Sequence, residues 1–409
     1  MRMVDAASSR VGAPASVAVY TDARAALPAW RELAAAAPST PYQDPSWALP
    51  WLDTIGASLG IAPFIVVARD ADGRATALLP LGLQRQGSLA VASFLGAKDS
   101  NFNMGLFRPG IAWSRDTIQA LLRRAALEAG TRPDLFLLRN QPHVWQGRPN
   151  PFAALQHQPS PSFAYKTTLD RDPETFLKAH LSRDSRKKLR QKMNRLRGLG
   201  PVRMADTSTG DDVAIVLDAF MAQRTARNRS AGLGCDDLLA MRRFLDVTVG
   251  RGGAVSFFAL LSGDRVVATL GGVRQGTRFS GMLTSFTAEP DIARTSPGEL
   301  LLGEVMALHG AAGFTTFDLG IGEARYKESY CPDVEELFDS LVPVSVRGHL
   351  VARLEGLRLQ AKRAIKQSPW AWPLAQRVRR ARAALATRPW TFSAAPSGGL
   401  PDEAARHED

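Results

Sequence analysis

Cysteine is nearly absent from this chain: Cys235 and Cys331 are the two in 409 residues. Set so far apart, they exclude a disulfide framework or thiolate metal site and make a reducing compartment the default. The six histidines form no H-x-x-x-H or similar ligand pair, so zinc or another metal is not expected. No apolar run approaches a membrane span, and the opening M-R-M-V-D-A-A-S-S-R lacks the apolar stretch of a signal peptide. The expected location is the cytoplasm. Hydrophobic and charged contents of 45% and 22% are those of a soluble globular protein, long enough for two cored domains.

What is present in excess is positive charge, +12 in all, and it is concentrated. Residues 182–197 hold eight Lys or Arg against one Asp, and residues 346–409 hold twelve against five acids. The remainder is near balance, so a surface coated by nucleic acid is not the expected partner.

Residues 295–327, T-S-P-G-E-L-L-L-G-E-V-M-A-L-H-G-A-A-G-F-T-T-F-D-L-G-I-G-E-A-R-Y-K, organise the reading. Ser296 as N-cap, Pro297 in the first turn and Glu299 closing an S-x-x-E capping box predict a helix start. Leu301, Val305, Leu308 and Ala312 are expected on its buried face, and 315–319 as a strand after the glycines. A helix entered from a strand end presents free backbone N–H groups to an anion, although a capping box alone explains the same residues.

Around it the order of elements repeats. Strand-like runs at 64–69, 76–84 and 89–95, a polar gap at 96–107, a helix at 116–129 and a strand at 134–139 match runs at 255–261, 266–273 and 278–287 followed by the Ser296 helix and its strand. The offset is about 190 residues, a repeat of topology and not of residues, and it predicts two related lobes. The division expected is 1–16 disordered, 17–162 a first lobe, 163–346 a second, and 347–409 a basic helical or disordered tail.

Three motifs then resemble a known family. G-D-R-V-V-A-T-L-G-G (263–272), S-P-G-E-L-L-L (296–302) and F-D-L-G-I-G-E-A-R-Y-K-E-S-Y (317–330) are similar to the acetyltransferase domain of the CelD/BioF-like branch of the GNAT superfamily, and more distantly to Fem-type aminoacyl transferases. The resemblance implies an α/β fold of two GNAT-like lobes, a tandem acyl-CoA N-acyltransferase fold with mixed central sheets flanked by helices. It implies acetyl-CoA or another acyl-CoA as co-substrate. Met282, Thr284 and Phe286 would line the pantetheine arm, and Arg294, Thr295, Ser296, Gly298 and Glu299 would hold the pyrophosphate. The chain departs from the superfamily's Gly-rich turn by having Gly298 alone there, which leaves other acyl donors open.

Acyl transfer to an amine needs a proton acceptor and a group to protonate the departing thiolate. Asp318, between Phe317 and Leu319, is a candidate base or else a strand-end carboxylate. Glu323 is a candidate acid or base on a glycine loop or else a solvated side chain, and Tyr326 a proton donor or a packed aromatic. Lys327, Arg224, Arg227 and Asp99 (with Lys98 beside it) are acceptor-side candidates or solvated charges. Cys331 reads as a small buried residue and His309 as a structural histidine. In the tail, Leu354, Leu357, Ala361 and Ile365 line one helix face beside basic residues, so 350–382 reads either as a peripheral contact with the inner membrane or as a helix packed on the lobe.

The function expected from the resemblance is acetyl transfer to an amine or hydroxyl of a saccharide-linked or cell-envelope (exopolysaccharide) precursor. The alternatives are a Fem-like aminoacyl-tRNA-dependent transferase and a non-catalytic membrane-surface scaffold.

Overall fold

The computed structural model describes residues 10–11, 14–210, 212–230, 237–322, 325–368 and 370–372. The chain first forms β1 (Ser16–Tyr20), α1 (Leu27–Ala36), α2 (Pro45–Trp51), β2 (Ala62–Arg69), β3 (Ala75–Gln86), β4 (Leu89–Phe94), α3 (Arg115–Glu128) and β5 (Leu135–Pro142). It continues with β6 (Ala164–Thr168), α4 (Pro173–His180), α5 (Arg183–Arg197), β7 (Val202–Asp206), α6 (Val213–Ser230), α7 (Asp237–Thr248), β8 (Val255–Ser262), β9 (Arg265–Gln275) and β10 (Arg278–Phe286). The remaining elements are α8 (Pro290–Ala293), α9 (Pro297–Ala311), β11 (Thr316–Ile321), α10 (Arg325–Tyr330), β12 (Asp333–Glu335), β13 (Leu337–Pro343) and α11 (Val346–Gln367).

Two large mixed sheets result, each flanked by helices. In each, three antiparallel strands lead through a helix to a parallel strand: β2–β3–β4, α3 and β5 in the first, β8–β9–β10, α9 and β11 in the second. The repeat of topology is therefore present in three dimensions. Parallel neighbours need such a crossover because a hairpin cannot return a strand in the same direction.

The lobes are also laced together. β13 follows the second sheet in sequence but pairs antiparallel with β5 of the first, from Leu337 opposite Pro142 to Pro343 opposite Leu135. The expected second lobe, 163–346, thus lends its last strand to the other sheet. Alternation within a strand fixes its faces and leaves the choice of sheet to distant partners. Here the partners are the buried Leu337 and Phe338 and the carboxylate of Asp339, which accepts the Asn140 N–H at 2.8 Å. One core also crosses the boundary. Tyr42, Trp47, Phe102 and Trp145 of the first lobe pack in one cluster with Phe244, Phe257 and Leu283 of the second, Trp47 meeting Phe244 edge to face at 5.6 Å.

α9 departs from the expected capping box. Ser296 stands in the left-handed region at φ 53° and its side chain caps nothing. The short helix α8 runs directly into the turn, and the amides of Thr295 and Ser296 bond back to the carbonyls of Ile292 and Ala293. The extended N-cap geometry that a capping box requires is thereby lost. The buried face is turned as well: Leu301 and Val305 are inside, Leu308 is 38% exposed, and His309 takes the interior position four residues after Val305.

His309 lies among Phe258, Phe279, Phe314 and Phe317. Its Nδ1 lies 2.8 Å from the Val305 carbonyl, and Nε2 has no partner among the described residues. Burial pulls its pKa from 6.5 to about 4, so the ring is neutral in the fold. A depressed histidine pKa contributes stability that is complete above pH 6.5 and is lost as pH falls towards 4. In urea denaturation, His309→Leu should lose less stability than wild type between neutral pH and pH ~4.5, by about 2 kcal/mol.

Candidate functional site

The site begins where two strands part. β10 and β11 run parallel and are paired at three positions, Arg278 with Thr316, Phe279 with Phe317 and Ser280 with Asp318, and pairing stops there. Just beyond, β10 carries a bulge: Gly271 of β9 faces Leu283, Gly272 faces Gly281, and Met282 is the extra residue between them. A bulge shifts which backbone groups point to which side. The N–H of Thr287 donates to Val267 of β9 at 3.0 Å. By alternation, the N–H and C=O groups of Thr284 and Phe286 face away from β9, into the gap. Of the expected arm-binding residues, Thr284 and Phe286 thus present backbone there, and Met282 marks the bend.

The apex of the gap is held by charge. Asp318 is fully buried; it accepts from Arg278 Nε at 2.7 Å, Ser280 Oγ at 2.5 Å and the Gly320 N–H at 3.1 Å. Burial pushes its carboxyl up, and the Arg278 charge and the Ser280 hydrogen bond pull it back down. Arg278 also reaches Glu335 at 3.4 Å, which Lys166 approaches at 3.1 Å. Its guanidinium lies over the rings of Phe102 and Trp145 from the first lobe, 4.8 and 4.2 Å from their centres. With three donors on its carboxylate and no exposure, Asp318 fixes the strands. This placement corrects the expectation of a catalytic base at Asp318, because a base must reach the proton it removes.

Asn101 of the first lobe bridges the parted strands. Its Nδ2 donates to the Gly281 carbonyl at 3.1 Å and to Tyr42 Oη at 2.9 Å, and its Oδ1 accepts from Ile321 N–H at 3.4 Å. Gly320 admits it: φ is +67°, and a Cβ there would stand 2.2 Å from Asn101 Nδ2. Asn101, Arg278 and Gly320 were not singled out as site residues in the sequence. The one local hint was the polarity of 96–107, since their partners come from the other lobe.

At the mouth of α9, Gly298 N–H makes no hydrogen bond among the described residues, and a Cβ at Gly298 would meet only Phe286, at 3.5 Å. Arg294 is exposed, pairing with Asp291 at 3.4 Å. Thr295 is buried and gives its hydroxyl to Ile292 O at 2.6 Å, so it offers nothing outward. Glu299 accepts from Lys192 Nζ of α5 at 2.5 Å and from Tyr330 Oη at 3.4 Å. The acid expected to hold the pyrophosphate is thus tied to the basic helix, and a carboxylate would repel a phosphate in any case.

The acceptor-side candidates gather on the other flank. Gln223 of α6 accepts from Ser285 Oγ of β10 at 2.7 Å and donates to Val266 O at 2.9 Å, locking α6 to the sheet. At the next residue, burial and then Arg227 pull the Arg224 pKa down while Asp99 raises it, and Arg224 Nε lacks a partner among the described residues. Asp99 accepts from Trp51 Nε1 at 3.0 Å. Tyr326 of α10 is 43% exposed; its covered part pushes the phenol up and the Arg227 charge pulls it down. Asp99, Arg224, Arg227 and Tyr326 therefore share one electrostatic neighbourhood. Lys327 is placed differently: it is buried, with Nζ 2.9 Å from the Ile321 carbonyl, and secures the end of β11. Cys331 is buried with its thiol pushed up by desolvation, which makes it inert as a nucleophile. Glu323 lies outside the described residues. Among those described, no cluster of His, Cys, Asp or Glu could hold a metal.

Residues 183–328, most of the second sheet and its helices, match the family model described as the acetyltransferase (GNAT) domain. The fold is shared with FemX, whose crystal structure superposes over 80% of this chain and 97% of its own at TM-score 0.55 and 11% identity. A tandem GNAT protein from the clavulanic acid biosynthesis pathway aligns over 80% of this chain and 98% of its own, at TM-score 0.45 and 14% identity. No curated protein matches the chain in sequence.

Removing Arg278 leaves the Asp318 charge buried and unpaired. Arg278→Ala should cost about 3–5 kcal/mol at neutral pH, with part recovered on acidification as Asp318 takes a proton, measured by denaturant titration at two pH values. Gly320→Ala should cost about 2 kcal/mol or more, since it adds a left-handed alanine to a collision with Asn101.

Proposed function

We propose that this protein is an acyltransferase that takes its acyl group from an acyl-CoA seated between β10 and β11 and passes it to an amine or hydroxyl presented at the Asp99–Arg224–Arg227–Tyr326 flank. The observation that carries the reading is the parting of β10 from β11 after Ser280, with a bulge that turns the Thr284 and Phe286 backbone into the gap. The residues present fit such a ligand: a groove edge of backbone groups leads to the Gly298 N–H at a helix mouth, all without hydrogen-bond partners among the described residues. Bound there, a thioester supplies an activated acyl carbon.

This chain's residues do the rest. Thr284 and Phe286 orient the arm through backbone hydrogen bonds, and Gly298 N–H with Arg294 receives the pyrophosphate. Tyr326, a phenol that burial pushes further above its ordinary value, donates a proton to the departing thiolate. Arg224 and Arg227 favour an acceptor carrying negative charge, as a phosphorylated saccharide or envelope precursor would. Glu323 is the proposed proton acceptor, given that Asp318 is sequestered.

Calorimetric titration with acetyl-CoA should show binding to wild type and at least about tenfold weaker binding to Gly298→Trp, at unchanged melting temperature. No heat and no thermal shift with wild type would sink the reading. Tyr326→Phe should keep acetyl-CoA affinity and lower kcat by about 100-fold.

A second reading is favoured by the fold shared with FemX and by α5, on which Arg183, Lys187, Lys188, Arg190, Arg195 and Arg197 are exposed. In it, the donor is an aminoacyl group carried by RNA. Activity would then require the RNA and fall steeply with salt.

A further inference from the structure

Helix α11 is put together the wrong way round for a helix that only packs on a protein. Val346, Leu350, Leu354, Leu357 and Ile365 are 45–89% exposed. At about 100° per residue they fall in a single stripe roughly a quarter-turn wide. The opposite face is fastened to the first sheet by small and polar groups. Gly348 sits so close to the Asp134 carbonyl that a Cβ would be 1.8 Å from it, and Ser345 Oγ donates to Asp134 Oδ1 at 2.5 Å. Leu359 is buried, Arg363 donates to Ser160 O at 2.6 Å, and Lys366 bonds Ser162 Oγ. The helix is docked along its length, and none of the described residues covers its apolar side.

We infer that this stripe lies on the surface of an anionic lipid bilayer. The charges around it select that occupant. α11 carries six Lys or Arg and one acid, Glu355, whose carboxylate pairs with Arg358 at 3.1 Å. By helical angle Arg353 borders the stripe on one side and Arg347 and Arg358 on the other, placed to reach lipid phosphates while the leucines enter the acyl boundary. Trp370, 75% exposed just past the helix, adds a side chain suited to the headgroup layer. A second copy of the same face would bring these arginines against one another, and the one acid of α11, Glu355, is already paired with Arg358. No described helix is long and apolar enough to cross a membrane, so the contact is a surface one. The inference is independent of the reaction proposed above and concerns where the protein works.

The test uses the full chain with vesicles of phosphatidylcholine alone or mixed with phosphatidylglycerol, in flotation at low and raised salt. Wild type should float with the anionic vesicles, at least about tenfold more than with neutral ones, and lose part of this with salt. Leu354→Glu with Leu357→Glu, both exposed and therefore neutral for folding by melting temperature, should abolish flotation. Three results overturn the inference. In one, wild type binds neither vesicle; in another, binding survives the double substitution. In the third, light scattering shows a wild-type dimer that the double substitution dissolves, which would make the stripe a protein interface.

Discussion

A carboxylate without access to water must be satisfied where it stands, and the structure around the cleft follows from meeting that requirement at Asp318. Arg278, Ser280 and the Gly320 amide converge on it at the last paired position of β10 and β11. The arginine is in turn held by Glu335 and by two aromatic rings of the first lobe. The charge pair thus anchors the base of the cleft and ties the lobes together. Its value lies in specifying geometry, because a buried ion pair recovers little more than its own desolvation.

From this anchor the rest of the cleft is set. Beyond it the strands separate, the Met282 bulge redirects β10, and Asn101 spans the opening from the other lobe. The first lobe therefore walls one side of the gap. It supplies Asp99, Asn101 and, behind them, Tyr42 beside the cleft, while α6 is locked to the sheet through Gln223. A tandem arrangement makes physical sense here: a single lobe would leave Arg278 stacked on nothing and the parted strands open to water.

The charged surfaces divide into two kinds. Lys192 of α5 is drawn to Glu299 at the helix mouth, leaving six basic side chains of that helix in solvent. α11 instead couples its charge to an exposed apolar stripe. The difference is one of patterning, since α5 turns Leu189, Met193 and Leu196 into the core and α11 turns Leu350, Leu354 and Leu357 outward.

Much was legible in the residues alone. The repeated order of strands, the crossover helix and the mixed sheets rest on local periodicity, turn chemistry and the motif resemblance. What could not be read depended on partners far along the chain. The capping box failed at Ser296 because a preceding helix took the amides. Asp318 was pulled from solvent by an arginine forty residues away, and Lys327 turned inward to carbonyls. β13 joined the other sheet. By itself the sequence determined most of the strands and helices and, outside α9, much of which face is apolar, because those follow from nearest neighbours. Only the tertiary structure decided which charges are satisfied, which are left for a ligand and which apolar faces stay uncovered, because burial and pairing are properties of the whole packed chain.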